Sequence, residues 1–229
     1  MSAPDTGRNS GPGKALGVTL ATALVCSLVV TGTHLLLKPV RQSWADAARY
    51  RNVLDMSGLL PDAPVTEREL ATLFRQLEIR EVAIAKVVDG KPRTAAEKVF
   101  LVWAGGQLQR LILPVAGQGM WAPISGYLAL EPDLRTVAAI SFDQMAETPG
   151  IGDKIQDPAW RALWRGKLAY DDAGVPVLGV SDDPRYRVDA IAGATVTVTA
   201  ATKLVRDALG ADGFGPFLDR LRREGVTAR

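Results

Sequence analysis

An α+β domain is the fold class that three features of this 229-residue sequence predict, with a largely antiparallel sheet flanked by helices behind a single N-terminal transmembrane helix. The segment Ala15–Leu37 runs 23 residues without an Asp, Glu, Lys or Arg. The middle of the chain breaks into short apolar or alternating runs separated by glycine turns. Helical spacing of apolar residues brackets those runs at both ends, which suits segregated strands and helices rather than alternating βαβ units. Composition narrows the function classes. With 27 basic and 25 acidic side chains the net charge is only +2, which argues against a nucleic-acid binder. Hydrophobic residues at 47% and charged residues at 23% are the proportions of a folded domain. One cysteine and one histidine exclude disulfide scaffolds, zinc fingers, iron–sulfur ligand sets and histidine-based triads.

Residues 1–14 are rich in Gly, Pro and Ser and read as a flexible tail. The apolar run 15–37 would span about 34 Å as a helix, enough for a hydrocarbon core of about 30 Å. It exceeds the apolar core of a cleaved signal peptide, and no small-x-small cleavage site follows it, so a retained anchor is expected. Lys38 and Pro39 are expected to close the span. His34 reads as an interfacial residue and Cys26 as a small packing residue. Arg8 and Lys14 precede the span while Lys38, Arg41, Arg49 and Arg51 follow it, so charge counting alone puts the C-terminal bulk in the cytoplasm.

Residues 38–78 read as a helical linker leading into the soluble domain, with helices over Gln42–Leu60 and Thr66–Leu77, and 79–229 as the main domain. Strands are expected at Glu81–Val88, Lys98–Trp103, Gln107–Pro114, Tyr127–Leu130 and Val137–Phe142, bounded by turns such as Asp89-Gly90 and Gly105-Gly106. A short helix is expected at Pro158–Trp164, further strands at Val177–Val180 and Tyr186–Ile191, and helices at Ala200–Leu209 and Gly213–Arg223.

Three segments stand out chemically. In Asp189-Ala-Ile-Ala-Gly193-Ala194-Thr195, a glycine between alanines lets a bulky group approach the backbone and leaves the Thr195 hydroxyl uncluttered. If a helix starts there, a phosphate on Thr195 would sit at its N-terminus, where free N–H groups favour anions. The alternating Thr195-Val-Thr-Val-Thr199 equally reads as a half-buried strand, and the residues alone leave both readings open. In Glu147-Thr148-Pro149-Gly150-Ile151-Gly152, a Pro-Gly turn and two glycines form a tight loop that suits a planar or phosphorylated ligand, or serves as a plain connection. Between Gly117 and Tyr127, Trp121 lies in an irregular Gly/Pro-rich loop, where an aromatic can stack on a flat ring or belong to the core.

Taken in order, GQGMWAPISGYLAL, AETPGIG, Trp164-Arg-Gly-Lys167 and DAIAGAT resemble the NqrC family of sodium-translocating NADH:quinone reductase subunits, over nearly the whole chain and including the single N-terminal anchor. The related RnfG family, from the Rnf-type electron-transport complex, shares the E-T-P-G-hydrophobic-G and G-A-T elements but generally not the GYLAL form. The resemblance implies that residues 79–229 are an FMN-binding domain, with FMN joined through its phosphate to a threonine hydroxyl by a separate flavin transferase that takes it from FAD. Asp189, Gly193, Ala194 and Thr195 match that enzyme's recognition pattern, and Thr195 is the implied acceptor. Ala190 and Ala192 depart from the usual Gly and Ser/Thr. Thr197 and Thr199 are alternative acceptors that do not follow Gly-Ala.

The implied role is one-electron carriage within a six-subunit complex of the bacterial inner membrane, with no catalytic acid or base and no metal of its own. Glu147, Thr148, Gly150, Gly152 and Trp121 are the residues expected around the ring, with Lys167 close enough to favour reduced, anionic flavin. The family places the flavin domain on the periplasmic side, against the charge count. An RnfG-like or stand-alone anchored FMN carrier and a flavin-free scaffold protein are the alternatives.

Overall fold

Helix α1 runs from Pro12 to Ser57 in the computed structural model, which describes residues 12–61, 63–88, 91–144, 150, 152–179 and 182–226. Most of the expected tail and the expected Asp89-Gly90 turn lie outside the described residues. The stretch Ala15–Lys38 has a mean hydropathy of 2.0 with none of it buried, and is long and apolar enough to cross a membrane. The apolar span ends at Lys38 as expected, but the helix does not stop there: it passes through Pro39 and takes in the helix expected from Gln42. A proline inside a helix removes one N–H and costs about 3 kcal/mol, but helix formers on both sides, Leu35 to Lys38 and Arg41 to Arg49, favour continuing.

The chain divides into two units, Met1–Asp46 and Ala47–Arg229. In the second, helix α2 (Glu67–Phe74) starts at Thr66, whose hydroxyl accepts from the Glu69 N–H while the Glu69 carboxylate accepts from the Thr66 N–H at 2.7 Å. That reciprocal cap satisfies two orphan donors of the first turn. Five strands follow as an antiparallel meander: β1 (Glu78–Val88), β2 (Lys91–Ala104), β3 (Gln107–Gln118), β4 (Pro123–Leu130) and β5 (Val137–Gln144). Between β2 and β3, Ala104 pairs with Gln107 across Gly105-Gly106, both at positive φ (57° and 75°), as a two-residue I′ hairpin requires.

Successive residues along the strands feed opposite faces, and both faces are covered. Val99, Leu101, Leu111, Leu113, Leu128 and Leu130 join one core with Val198, Leu204 and Leu218. Phe100, Val102, Ile112, Tyr127 and Ala129 join the other, under Val53 and Leu54 of α1 and Leu70 and Phe74 of α2. The period-2 pattern thus separates two cores rather than core from solvent, which makes three layers. Beyond β5 come a 3-10 turn (Gly152–Gln156) and helices α3 (Pro158–Ala162), α4 (Thr195–Leu209) and α5 (Gly215–Glu224).

Two expected strands, Val177–Val180 and Tyr186–Ile191, are absent from the described residues. Val177 to Gly179 and Tyr186 to Ile191 are irregular backbone, tied by single bonds such as Gly179 N–H to the Tyr186 carbonyl at 2.7 Å and Leu168 N–H to the Arg185 carbonyl at 2.8 Å. Pro176 and Pro184 cannot donate to a ladder, and isolated bridges at Thr136–Leu168 and Tyr170–Pro176 are what remains. Burial of Leu178, Tyr186 and Val188 accounts for the apolar signal that resembles strands.

Candidate functional site

The segment Thr195–Thr199 is the first part of α4, not a strand, and the helix begins five residues before the expected Ala200. Its buried residues Thr197, Val198, Ala201, Thr202, Leu204, Val205 and Leu209 follow helical spacing. The chain enters through a turn in which the Ala194 N–H donates to the Ile191 carbonyl at 3.0 Å, with Gly193 at φ +80° in the third position. A left-handed residue is required there, and glycine takes it without a Cβ penalty. Where a Cβ of Gly193 would project, nothing lies within 4 Å.

Ala194 is the N-cap and offers no side-chain cap to the first turn. The leading N–H groups of α4 therefore keep their hydrogen-bonding capacity for an outside acceptor, and the helix dipole adds to their pull on an anion. Thr195 is exposed at the first helical position. Thr197 is 3% exposed and so is buried, and Thr199 sits a turn further on where the backbone N–H groups are already bonded. Of the three hydroxyls, Thr195 is the one at the open helix end.

The rest of α4 is clamped. A Cβ on Gly117 of β3 would lie 2.6 Å from the Leu204 Cβ, and one on Gly179 would lie 2.5 Å from the Thr202 Cγ2, so the helix sits against bare backbone on both sides. The Tyr170 hydroxyl donates to the Leu209 carbonyl at 3.0 Å, and Arg206 Nη1 to the Leu178 carbonyl at 2.9 Å. These contacts hold the C-terminal half and leave the N-terminal turn presented.

The second and third segments meet this one unevenly. Glu147 and Thr148 lie outside the described residues. Gly150 is exposed at φ +75°, and Gly152 is buried at the start of the 3-10 turn, which packs on α4. Gln156 Nε2 donates to the Phe142 carbonyl at 3.1 Å, tying that turn to the end of β5. From α3 the Trp160 indole N–H donates to the Asp189 carbonyl at 2.8 Å, and Arg187 Nε pairs with Asp189 Oδ1 at 3.2 Å. The Gly152 and Asp189 segments are thereby brought together. Trp121 is 68% exposed at the β3–β4 tip, four residues beyond Gly117. Lys167 is placed differently: its Nζ donates to the Pro184 carbonyl at 2.8 Å, and its own carbonyl accepts from Val137, at the opposite end of β5 from Phe142. Among the described residues no group of three or more His, Cys, Asp or Glu could hold a metal.

Near the end of β5, burial pushes the Asp143 carboxyl above its ordinary value, against hydrogen bonds from Asn52 and Ser141 and the charges of Arg49 and Arg161. A raised native pKa means the folded chain holds this proton more tightly than the unfolded one, so stability falls as pH climbs from about 4 through the raised value. Asp143→Asn removes that dependence. The difference in unfolding free energy between variant and wild type is expected to move in favour of Asn from pH 4 to pH 7 in urea titrations. A difference constant over that range would contradict the assignment.

The FMN-binding domain family model matches residues 119–210, which contain Trp121, Gly150, Gly152, Lys167 and Asp189 through Thr195. The NqrC protein of Yersinia pestis, from its Na(+)-translocating NADH-quinone reductase, is 30% identical over 97% of both chains. That of Pseudomonas aeruginosa is 33% identical over 92% of this chain and 96% of its own. The crystal structure of Shewanella oneidensis NqrC superposes with a TM-score of 0.68 at 26% identity, over 78% of this chain and 98% of that one. At this identity, and with near-complete coverage of its relatives, the chain belongs to the NqrC family of Na(+)-translocating NADH-quinone reductase subunits.

Proposed function

We propose that this chain is the membrane-anchored, FMN-carrying subunit of a sodium-pumping NADH:quinone reductase, and that Thr195 carries the flavin as a phosphodiester. The observation that supports the site is the exposed Thr195 hydroxyl at the uncapped N-terminus of α4, behind the open Gly193 turn and inside the FMN-binding match. A phosphate attached there meets the first-turn N–H groups, so the residues present fit the group. Attachment by a flavin transferase balances as follows: Thr195 Oγ bonds to the FMN phosphorus of FAD, the pyrophosphate P–O bond breaks, AMP leaves, and the hydroxyl proton passes to solvent. Bound FMN supplies one-electron carriage between donors and acceptors on neighbouring subunits. The chain's own part is to hold the phosphate on α4 and to frame the ring with Gly150, Gly152, Glu147, Thr148 and Trp121. Lys167, whose Nζ donates to the Pro184 carbonyl, is the further residue proposed to favour reduced, anionic flavin.

The test is the intact mass of the chain purified from cells that contain the transferase, with mapping of the peptide that holds Thr195. The expected increment is one FMN less one water on that peptide. An unmodified peptide would overturn the assignment and leave the flavin-free scaffold.

The soluble unit is proposed to face the periplasm, following the family resemblance. Ala173 is exposed and Cys26, the sole native cysteine, lies in the apolar span. Ala173→Cys is expected to react with a membrane-impermeant maleimide in whole cells, while the native chain does not. Labelling only after lysis would put the domain in the cytoplasm.

A further inference from the structure

We infer that Trp160 is a positioning residue for flavin attachment: its indole N–H, held in an aromatic cluster, fixes the start of the segment that delivers Thr195. The inference rests on Thr195 being the attachment residue.

Trp160 is 6% exposed, with its ring centroid 5.5 Å from that of Trp164 and 6.3 Å from that of Phe142. Its N–H reaches across 29 residues of sequence to the Asp189 carbonyl at 2.8 Å. Between Asp189 and the first turn of α4 the chain is anchored by Ile191, which packs against the main core, and by the buried Ala194, and has few hydrogen bonds among the described residues. Ala190, Ala192 and Gly193 are exposed, and the described bonds of this stretch are the Ile191–Ala194 turn and the exposed Arg187–Asp189 pair. A part-buried hydrogen bond from a ring fixed in an aromatic cluster holds a backbone point better than an exposed ion pair, which is screened and gains little. Helix α3, which carries Trp160, packs on the 3-10 turn that opens at Gly152, so the Trp160 bond ties Asp189 to the element beside that turn.

The cluster contains its own control. Trp164 is 0% exposed in the same cluster, and its indole N–H has no hydrogen-bond partner among the described residues. Trp160→Phe and Trp164→Phe remove the same atoms from neighbouring buried rings, but only the first removes a bond to the attachment segment. Full-length chains would be purified in detergent from cells lacking the transferase, then incubated with purified transferase and FAD. Incorporation is followed by in-gel flavin fluorescence, below every variant's melting temperature.

The initial rate is expected to fall about fivefold in Trp160→Phe, the factor that one ordinary hydrogen bond represents, and to stay near the wild-type rate in Trp164→Phe. Amide hydrogen exchange over Ile191–Val196 is expected to quicken in Trp160→Phe alone, a readout that needs no transferase. Equal rates in Trp160→Phe and wild type, or equal losses in both variants, would overturn the positioning role while leaving Thr195 as acceptor. A wild-type chain that takes up no flavin would overturn the Thr195 reading itself, and the inference with it.

Discussion

Replacing Thr195 with Ala is expected to abolish covalent FMN while the domain stays folded. The hydroxyl oxygen is the only atom of this residue that could bond to phosphorus, and the change leaves nothing to substitute for it. The side chain is exposed at the first position of α4, so no core packing is lost. Alanine is the best helix former and Thr195 is not the N-cap, so the stability change should stay within about 0.5 kcal/mol. Thr195→Ser keeps a hydroxyl and should retain flavin, at a lower rate set by its freer rotamer. The readouts are flavin fluorescence in denaturing gels, peptide mass and the melting curve. Flavin persisting in Thr195→Ala would move the attachment elsewhere. Burial of Thr197 and the bonded backbone at Thr199 argue that neither replaces it. Loss of flavin together with loss of the fold would remove the distinction between an attachment role and a structural one.

Much of this architecture is legible from residues alone. The apolar span, the cores of all five strands and the short helix at Pro158 follow from charge exclusion, alternation and turn chemistry. What escapes has identifiable causes. The alternation Thr-Val-Thr-Val-Thr satisfies a two-residue period over five positions, yet Ala201, Leu204, Val205 and Leu209 extend a helical one that five residues cannot reveal. The stretches around Leu178 and from Tyr186 to Ile191 carry the apolar residues of strands, because Leu178, Tyr186 and Val188 are buried as isolated anchors near prolines. Pro39 marks a helix end statistically, while here its neighbours carry the helix onward.

The candidate site shows the same division. The motif order points to Asp189–Thr195 and Gly150–Gly152, since glycines and small residues betray close approach. The bond that ties α3 to the first of those segments, from the Trp160 N–H to the Asp189 carbonyl, leaves no mark in sequence because any residue supplies a carbonyl. Lys167 is suggested as a ring neighbour by its place in a family motif, and its Nζ bond to the Pro184 carbonyl is a contact that the motif does not announce.

Gly126→Ala is expected to be the most destabilising glycine-to-alanine change in the soluble unit, costing about 3 kcal/mol or more. Gly126 lies inside β4 opposite Phe142 of β5, where the register shifts between Ser125 and Gly126. An added Cβ would stand 1.9 Å from the Ser141 carbonyl oxygen and 2.8 Å from the Phe142 Cα, both backbone atoms of the paired strand. A flexible side chain could swing away from such a contact. A ladder backbone cannot, so the two strands must part locally and give up hydrogen bonds between two cores. Its neighbours Ile124, Tyr127 and Leu128 are buried in those cores, which blocks relief by sliding the strand. Gly193 makes the contrast, since its φ of +80° strains an alanine but nothing lies within 4 Å of the added atom. Gly193→Ala should therefore cost only about 1 kcal/mol. Urea unfolding of the two variants in parallel, followed by tryptophan fluorescence, separates packing clash from backbone strain. Comparable midpoints would show that β4 and β5 yield more easily than their burial implies. A larger loss at Gly126 would identify the bulge as the point that fixes the end of β5, and with it the strand from which the Gly150–Gly152 loop departs.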